Sequence, residues 1–176
     1  NIEIMAPAGS FASLHAAIKA GAGSVYFGIE SLNMRARAAN NFTTEDLTEI
    51  VRICQEHSIK TYLALNIVLY GEDIERMKEV CDTAKDVGLT AVICSDIAAL
   101  SYAKSIGLEV HMSTQANIAN IEAVIFYAQY ADVIVLAREL TVDQIQEICS
   151  TIKEQDIRGP SGNLVQIEVF VHGALC

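Results

Sequence analysis

Short apolar, β-branched runs alternate with stretches of helical periodicity along the chain, and that alternation restricts the fold to the parallel β/α class. Strands are predicted at Ile2–Ala6, Ser24–Gly28, Lys60–Val68, Ala91–Ser95, Glu109–Met112, Asp132–Leu136 and Gln166–Val171. Helices are predicted at Phe11–Ala20, Thr44–His57, Asp73–Val87, Ile97–Ile106, Ile121–Tyr130 and Val142–Gln155. Their apolar residues recur at spacings of three and four, as in Leu47, Ile50, Val51 and Cys54, or Met77, Val80, Cys81 and Ala84. Ser10, Thr44 and the Thr141–Gln144 pair carry the chemistry of helix starts. Gly21, Gly88 and Gly107 stand where helices should stop.

Two folds compete for such a series. A doubly wound open sheet calls for a glycine-rich phosphate turn after the first strand, and the sequence there reads APAGS, without that spacing. A barrel instead sets polar residues just past the end of nearly every strand. That is the pattern here: Glu30, Asn33, Arg35 and Arg37 follow strand two, Asn66 ends strand three, and Ser95–Asp96 close strand four. Ser113, Gln115 and Asn117 follow strand five, Arg138–Glu139 strand six, and His172 strand seven. The expectation is a parallel (β/α) TIM-barrel-like fold in one domain, residues 1–176, incomplete at seven strands and six helices. A full barrel takes about 250 residues. The chain is therefore expected to be a truncated barrel, with open strand edges that favour self-association.

Composition narrows the partners. Apolar residues make up 52% of the chain, and 12 basic against 22 acidic residues give a formal charge of −10. Such a surface repels phosphate backbones and anionic membranes, which argues against a nucleic-acid partner. No apolar run has the length of a membrane span. The first residues read as a strand rather than a signal peptide, and the five cysteines form no CxxC pair. Both point to a reducing cytoplasm.

Arginine placement is the most informative charge signal. Arg35, Arg37 and Arg138 fall on the side of the strand ends, and guanidinium groups gathered in one mouth suit a small anionic ligand, carboxylate or phosphate. All six lysines lie in helices, connections or strand starts, which disfavours Schiff-base chemistry. His111 reads as a strand residue of the core, and His172 as a loop residue able to act as a general base. Cys54, Cys81 and Cys149 read as small core hydrophobes. Cys176 is a lone thiol in the last loop. The spacing of His, Asp, Glu and Cys shows no metal-ligand signature.

Five segments together resemble the collagenase-like peptidase family of unassigned mechanism, family U32. They are MAPAGSFASLHAAIKAGAGSVYFG, LNMRARAANNF, STQANIAN, LARELTVDQI and EVFVHGALC, in the family's order. The resemblance implies an N-terminal barrel domain of a longer protein, with its active site at the C-terminal ends of the strands and incomplete in this chain. His172, Glu139 and Cys176, which match segments the family shares, are expected to be catalytic. Arg35, Arg37, Ser113, Gln115, Asn117 and Arg138, in the same segments, and Asn66, at the end of strand three, are expected to contact a peptide or small anion. Some relatives hydroxylate RNA bases or a quinone precursor and bind a four-iron, four-sulfur cluster. By position Cys176 resembles the first ligand of that cluster, which would form only in the full-length protein. No cofactor is expected in the chain alone. Three functions follow as expectations: a peptidase first, a cluster-dependent hydroxylation enzyme second, a non-catalytic binding or scaffold module third.

Overall fold

The computed structural model describes residues 2–29, 32 and 42–172. Among them seven strands alternate with six helices: β1 (Met5–Pro7), α1 (Phe11–Lys19), β2 (Ser24–Phe27), α2 (Asp46–Glu56), β3 (Lys60–Leu65), α3 (Ile74–Asp86), β4 (Ala91–Cys94), α4 (Ile97–Ser105), β5 (Glu109–Met112), α5 (Ile121–Ala128), β6 (Val133–Val135), α6 (Val142–Glu154) and β7 (Gln166–Glu168). Neighbouring strands run parallel within each unit. This is the β/α barrel-like arrangement expected, incomplete at seven strands. The chain divides into two compact units, residues 1–109 and 110–176.

In the first unit, Met5 stands level with Ser24, Ser24 with Lys60, and Tyr62 with Ala91. Because side chains alternate along a strand, this register sorts them into two faces. Val25, Phe27, Leu63, Leu65, Val92 and Cys94 share one face and are all buried. α2 packs on β3 and α4 on β4. Those helices bury the stripe Leu47, Ile50, Val51 and Cys54, and the small-residue stripe Ala99, Leu100 and Ala103. The opposite face carries Tyr62, Ala91 and Ile93, with Met5 and Tyr26 packed against them; it is the face that a β/α barrel turns inward. Strands buried on both sides explain why β3 and β4 read as unbroken apolar runs.

At the N-terminal ends of these strands, Tyr62 donates to Glu3 Oε1 at 2.9 Å and Lys60 Nζ to Oε2 at 2.6 Å. Burial raises the Glu3 carboxyl, but the bonds from Lys60 and Tyr62 outweigh it and hold it below its ordinary value.

The helix ends follow the sequence with one exception. Ser10 and Thr141 each form a reciprocal capping box, with Ser13 and Gln144. Gly21, Gly88 and Gly107 take φ of 81°, 77° and 71° just past α1, α3 and α4, the left-handed stop that glycine takes without strain. Thr44 is the exception. α2 starts two residues later than expected, and Asp46 accepts instead from the Thr43 backbone N–H and hydroxyl. Two further stops, Ser58 and Asp156, have positive φ without being glycine, and so escape a reading that looks for glycine.

Several strands are shorter than predicted. β1 starts at Met5 because Ile2 and Ile4 are exposed rather than packed. β3 ends at Leu65, leaving Val68 out in solvent. β7 ends at Glu168, not Val171, because β6 offers only Val133, Ile134 and Val135 as partners. β propensity cannot extend a strand past its neighbour's last paired residue.

The turn into β7 leans on β6. Ser161 N–H donates to Asp132 Oδ1 at 3.0 Å. A Cβ built on Gly159 would stand 2.9 Å from Asp132 Cα, which is backbone and cannot swing aside. Gly159→Ala is therefore expected to lower stability by about 1–3 kcal/mol, read as a fall in the thermal midpoint; an unchanged midpoint would contradict the packing. A second expectation concerns Glu3. A carboxyl held below its unfolded value stabilises above that value, and the contribution is lost as pH falls through the folded one. Tyr62→Phe should cost about 1 kcal/mol in urea unfolding at neutral pH, after allowance for the partial exposure of Glu3. The difference from wild type should close on acidification through the carboxylate range.

Candidate active site at the strand ends

The second unit assembles its polar strand ends by hydrogen bonding rather than by strand length. His111 is level with Val133, and Val133 with Gln166, while Val135 is level with Glu168. His111, Ser113 and Glu168 therefore share one face of the sheet. His111 is buried, as expected of a core strand residue, and its Nδ1 lies 3.8 Å from Glu168 Oε2.

Beyond β5 the chain makes a tight turn. The Ser113 hydroxyl accepts from Gln115 N–H at 3.4 Å and donates to Gln115 Oε1 at 2.9 Å. Asn117 closes the turn in the left-handed region at φ 51°, where an asparagine is tolerated better than most residues. This turn is tied to β6: Thr114 Oγ1 donates to Leu136 O at 3.4 Å, and Ala137 N–H donates to Ile118 O at 2.9 Å. Leu136 N–H in turn donates to Glu168 O at 3.0 Å. The backbone after β6 is held from both sides as far as Ala137, and the next two residues, Arg138 and Glu139, emerge into solvent. The Arg138 guanidinium lies over the Phe170 ring, 5.4 Å from its centroid. Such a contact is worth ~0.5–1 kcal/mol at an exposed site. His172 is exposed two residues further on.

The predicted site residues thus fall into several groups. Arg138, Glu139 and His172 follow the neighbouring strands β6 and β7, and Ser113, Gln115 and Asn117 form the adjoining turn. Ser113 is buried within that turn; Gln115 and Asn117 are exposed. Asn66 is half-buried in the first unit, one residue past β3. Arg35, Arg37 and Cys176 lie outside the described residues. Asp96 serves the fold, since its carboxylate caps α4 by accepting from Ala98 N–H at 2.8 Å. Glu168 and Phe170 were not singled out in the sequence, because both fall inside the predicted strand Gln166–Val171. The signal for Glu168 was there in its parity, since an acid on an inward strand position is uncommon.

Among the described residues no three His, Cys, Asp or Glu side chains converge as a metal site. Burial pushes the Cys54 thiol up to about 11. Burial, assisted by Asp82, pushes Cys81 up to about 12. Cys94 is raised further by complete burial, with smaller contributions from Cys81 and Asp96. Thiols held protonated in the core are inert as nucleophiles and poor as ligands. Cys54, Cys81 and Cys94 therefore do not fit an iron–sulfur cluster. Among the described residues no helix is long and apolar enough to cross a membrane.

Residues 9–176 match peptidase family U32. Over 176 residues the chain is 59% identical to a collagenase of Porphyromonas gingivalis, covering all of this chain and 42% of that protein. It is 29% identical to tRNA hydroxylation protein P1 of Bacillus subtilis, covering 99% of this chain and 39% of that one. The solved structure of the U32 peptidase Mk0906 superimposes with a TM-score of 0.71 at 15% identity, over 96% of this chain and 67% of that chain. At that identity the likeness shows the fold, a parallel β/α barrel-like one. The chain belongs to peptidase family U32. It spans about two-fifths of the length of each of these two curated relatives.

The burial of the thiols is directly testable. In native protein, Cys54, Cys81 and Cys94 should resist iodoacetamide, and all three should react once the chain is unfolded, as read by peptide mass mapping. Native alkylation of Cys94 would show that the end of β4 is open to solvent.

Proposed function

We propose that the full-length protein is a peptidase, and that the rim where β6 and β7 end is the part of its active site carried by the second unit. The observation that carries this reading is the 59% identity across the whole chain to a protein named collagenase, against 29% to a hydroxylation protein. The rim offers suitable groups. Arg138 binds the peptide, as a guanidinium pairs with carboxylate or carbonyl oxygen. Glu139 and His172 stand exposed at neighbouring strand ends, and an imidazole is suited to moving protons near neutral pH. Cys176, with Arg35 and Arg37, remains a candidate from the segments beyond the described residues. The free, buried thiols of Cys54, Cys81 and Cys94 support a reducing, cytoplasmic setting.

The 29% identity to a tRNA hydroxylation protein over nearly all of the chain supports a second reading, hydroxylation dependent on a cluster. Cys176 would then be its first ligand. The charge of −10 speaks against an RNA substrate binding through this part of the protein.

Full-length protein incubated with gelatin and a mixed peptide library should cleave at least one substrate. His172→Ala should lower kcat on the order of 10²–10⁴-fold. Absence of any cleavage, together with hydroxylation of a tRNA base by the same preparation, would replace the first reading by the second.

A further inference from the structure

We propose that Phe170 is a positioning residue for carboxylate recognition: its ring carries the Arg138 guanidinium at the rim of the second unit, where Arg138 selects peptides that bear a carboxylate. The inference takes its ligand class, a peptide, from the peptidase reading above.

Three observations carry it. The first is the contact itself, with the Arg138 guanidinium carbon 5.4 Å from the Phe170 ring centroid. The second is where the ring sits. Phe170 is 45% exposed between Val169 at 40% and Val171 at 92%, so this ring is not filling a core. An aromatic left in solvent at a strand end forgoes the gain of burial unless it meets another group. The third is anchoring. Leu136 N–H bonds to Glu168 O, and Ala137 N–H bonds to Ile118 O. Arg138 therefore leaves the backbone one residue beyond a doubly held point, and Phe170 two residues beyond the bond that joins β7 to that same point. Both segments are tied to the same part of the sheet by backbone bonds, which makes the meeting of guanidinium and ring a built feature.

Contact with an aromatic ring has a chemical consequence for arginine. A guanidinium is planar and weakly hydrated on its faces, so a ring takes up a face while the N–H donors stay in the plane at the edge. That edge is the fork that matches the two oxygens of a carboxylate. Without the ring, the long side chain would have to give up rotamer freedom on binding. A lysine at the same place would be a point charge without the fork.

The test uses full-length protein and three fluorescent peptides of matched sequence. One has an internal Glu and blocked ends, one is neutral with a free C-terminal carboxylate, and one is neutral with blocked ends. Wild type should bind one carboxylate peptide about tenfold more tightly than the blocked neutral peptide, and which one identifies the carboxylate as a side chain or a chain end. Phe170→Leu and Arg138→Lys should each erase most of that preference, and Phe170→Tyr should keep it. In any peptide that is cleaved, Phe170→Leu should raise KM by more than it lowers kcat. A purely structural role would instead weaken all three peptides alike and lower the melting temperature. Equal binding of the three peptides by wild type, or a preference that survives Phe170→Leu intact, overturns the proposal. Carboxylate preference without cleavage of any peptide would remove the peptidase reading and leave this one standing. Cleavage without preference would do the reverse.

Discussion

The parallel register of β5, β6 and β7 is the constraint on which the candidate site depends. Three short strands cannot hold loops in place through ladder bonds alone, and β6 pairs with β7 over only three residues. The backbone bonds beyond them, from Leu136 to Glu168 and from Ala137 to Ile118, carry order past the formal ends of the strands. Arg138 and Phe170 meet because those bonds set where each chain segment leaves the sheet. The Ser113–Gln115 turn belongs to the same construction, since Thr114 reaches Leu136. A loop tied down in this way is a suitable platform for recognition, which requires side chains held by a rigid scaffold.

Register also divides the chemistry of the two sheet faces. In the first unit, one face meets helices and buries Cys94 and the leucines of β3. The thiols there are protonated and inert for the same reason that the core is stable: no water reaches them. The other face carries Tyr62 and, toward the N-terminal ends of the strands, the Glu3–Lys60 pair. In β/α barrels that end serves stability, while chemistry gathers at the opposite one. Glu3 belongs to the first end in its own unit, and in the second unit the candidate residues Arg138, Glu139 and His172 follow the C-terminal ends of β6 and β7.

Much of this was legible in the residues. The helical stripes, the capping boxes at Ser10 and Thr141 and the three glycine stops all lie where their chemistry puts them. Their interactions are local, within about one turn of helix. Legibility failed where a local signal was overruled by a neighbour. Thr44 has the right side chain for a cap, but Asp46 takes its bonds from Thr43. Ser58 and Asp156 stop helices without glycine, so composition gave no warning. The run Gln166–Val171 has uniform strand propensity, yet pairing ends at Glu168 because β6 ends. The placement of Arg138 shortly after β6 was readable, whereas His172, expected to close the seventh strand, lies four residues beyond the end of β7. That Arg138 would lie on Phe170 was not readable.

The sequence by itself determined the element order, the fold class and the family. Periodicity and capping are local properties, and family membership is carried by the order of motifs. Only the tertiary structure decided which side chains meet: His111 near Glu168, Arg138 over Phe170, Tyr62 on Glu3. The physical reason is register. A shift of one residue in a strand sends each side chain to the opposite face, and nothing within a single strand's own sequence states how it is aligned with its neighbour.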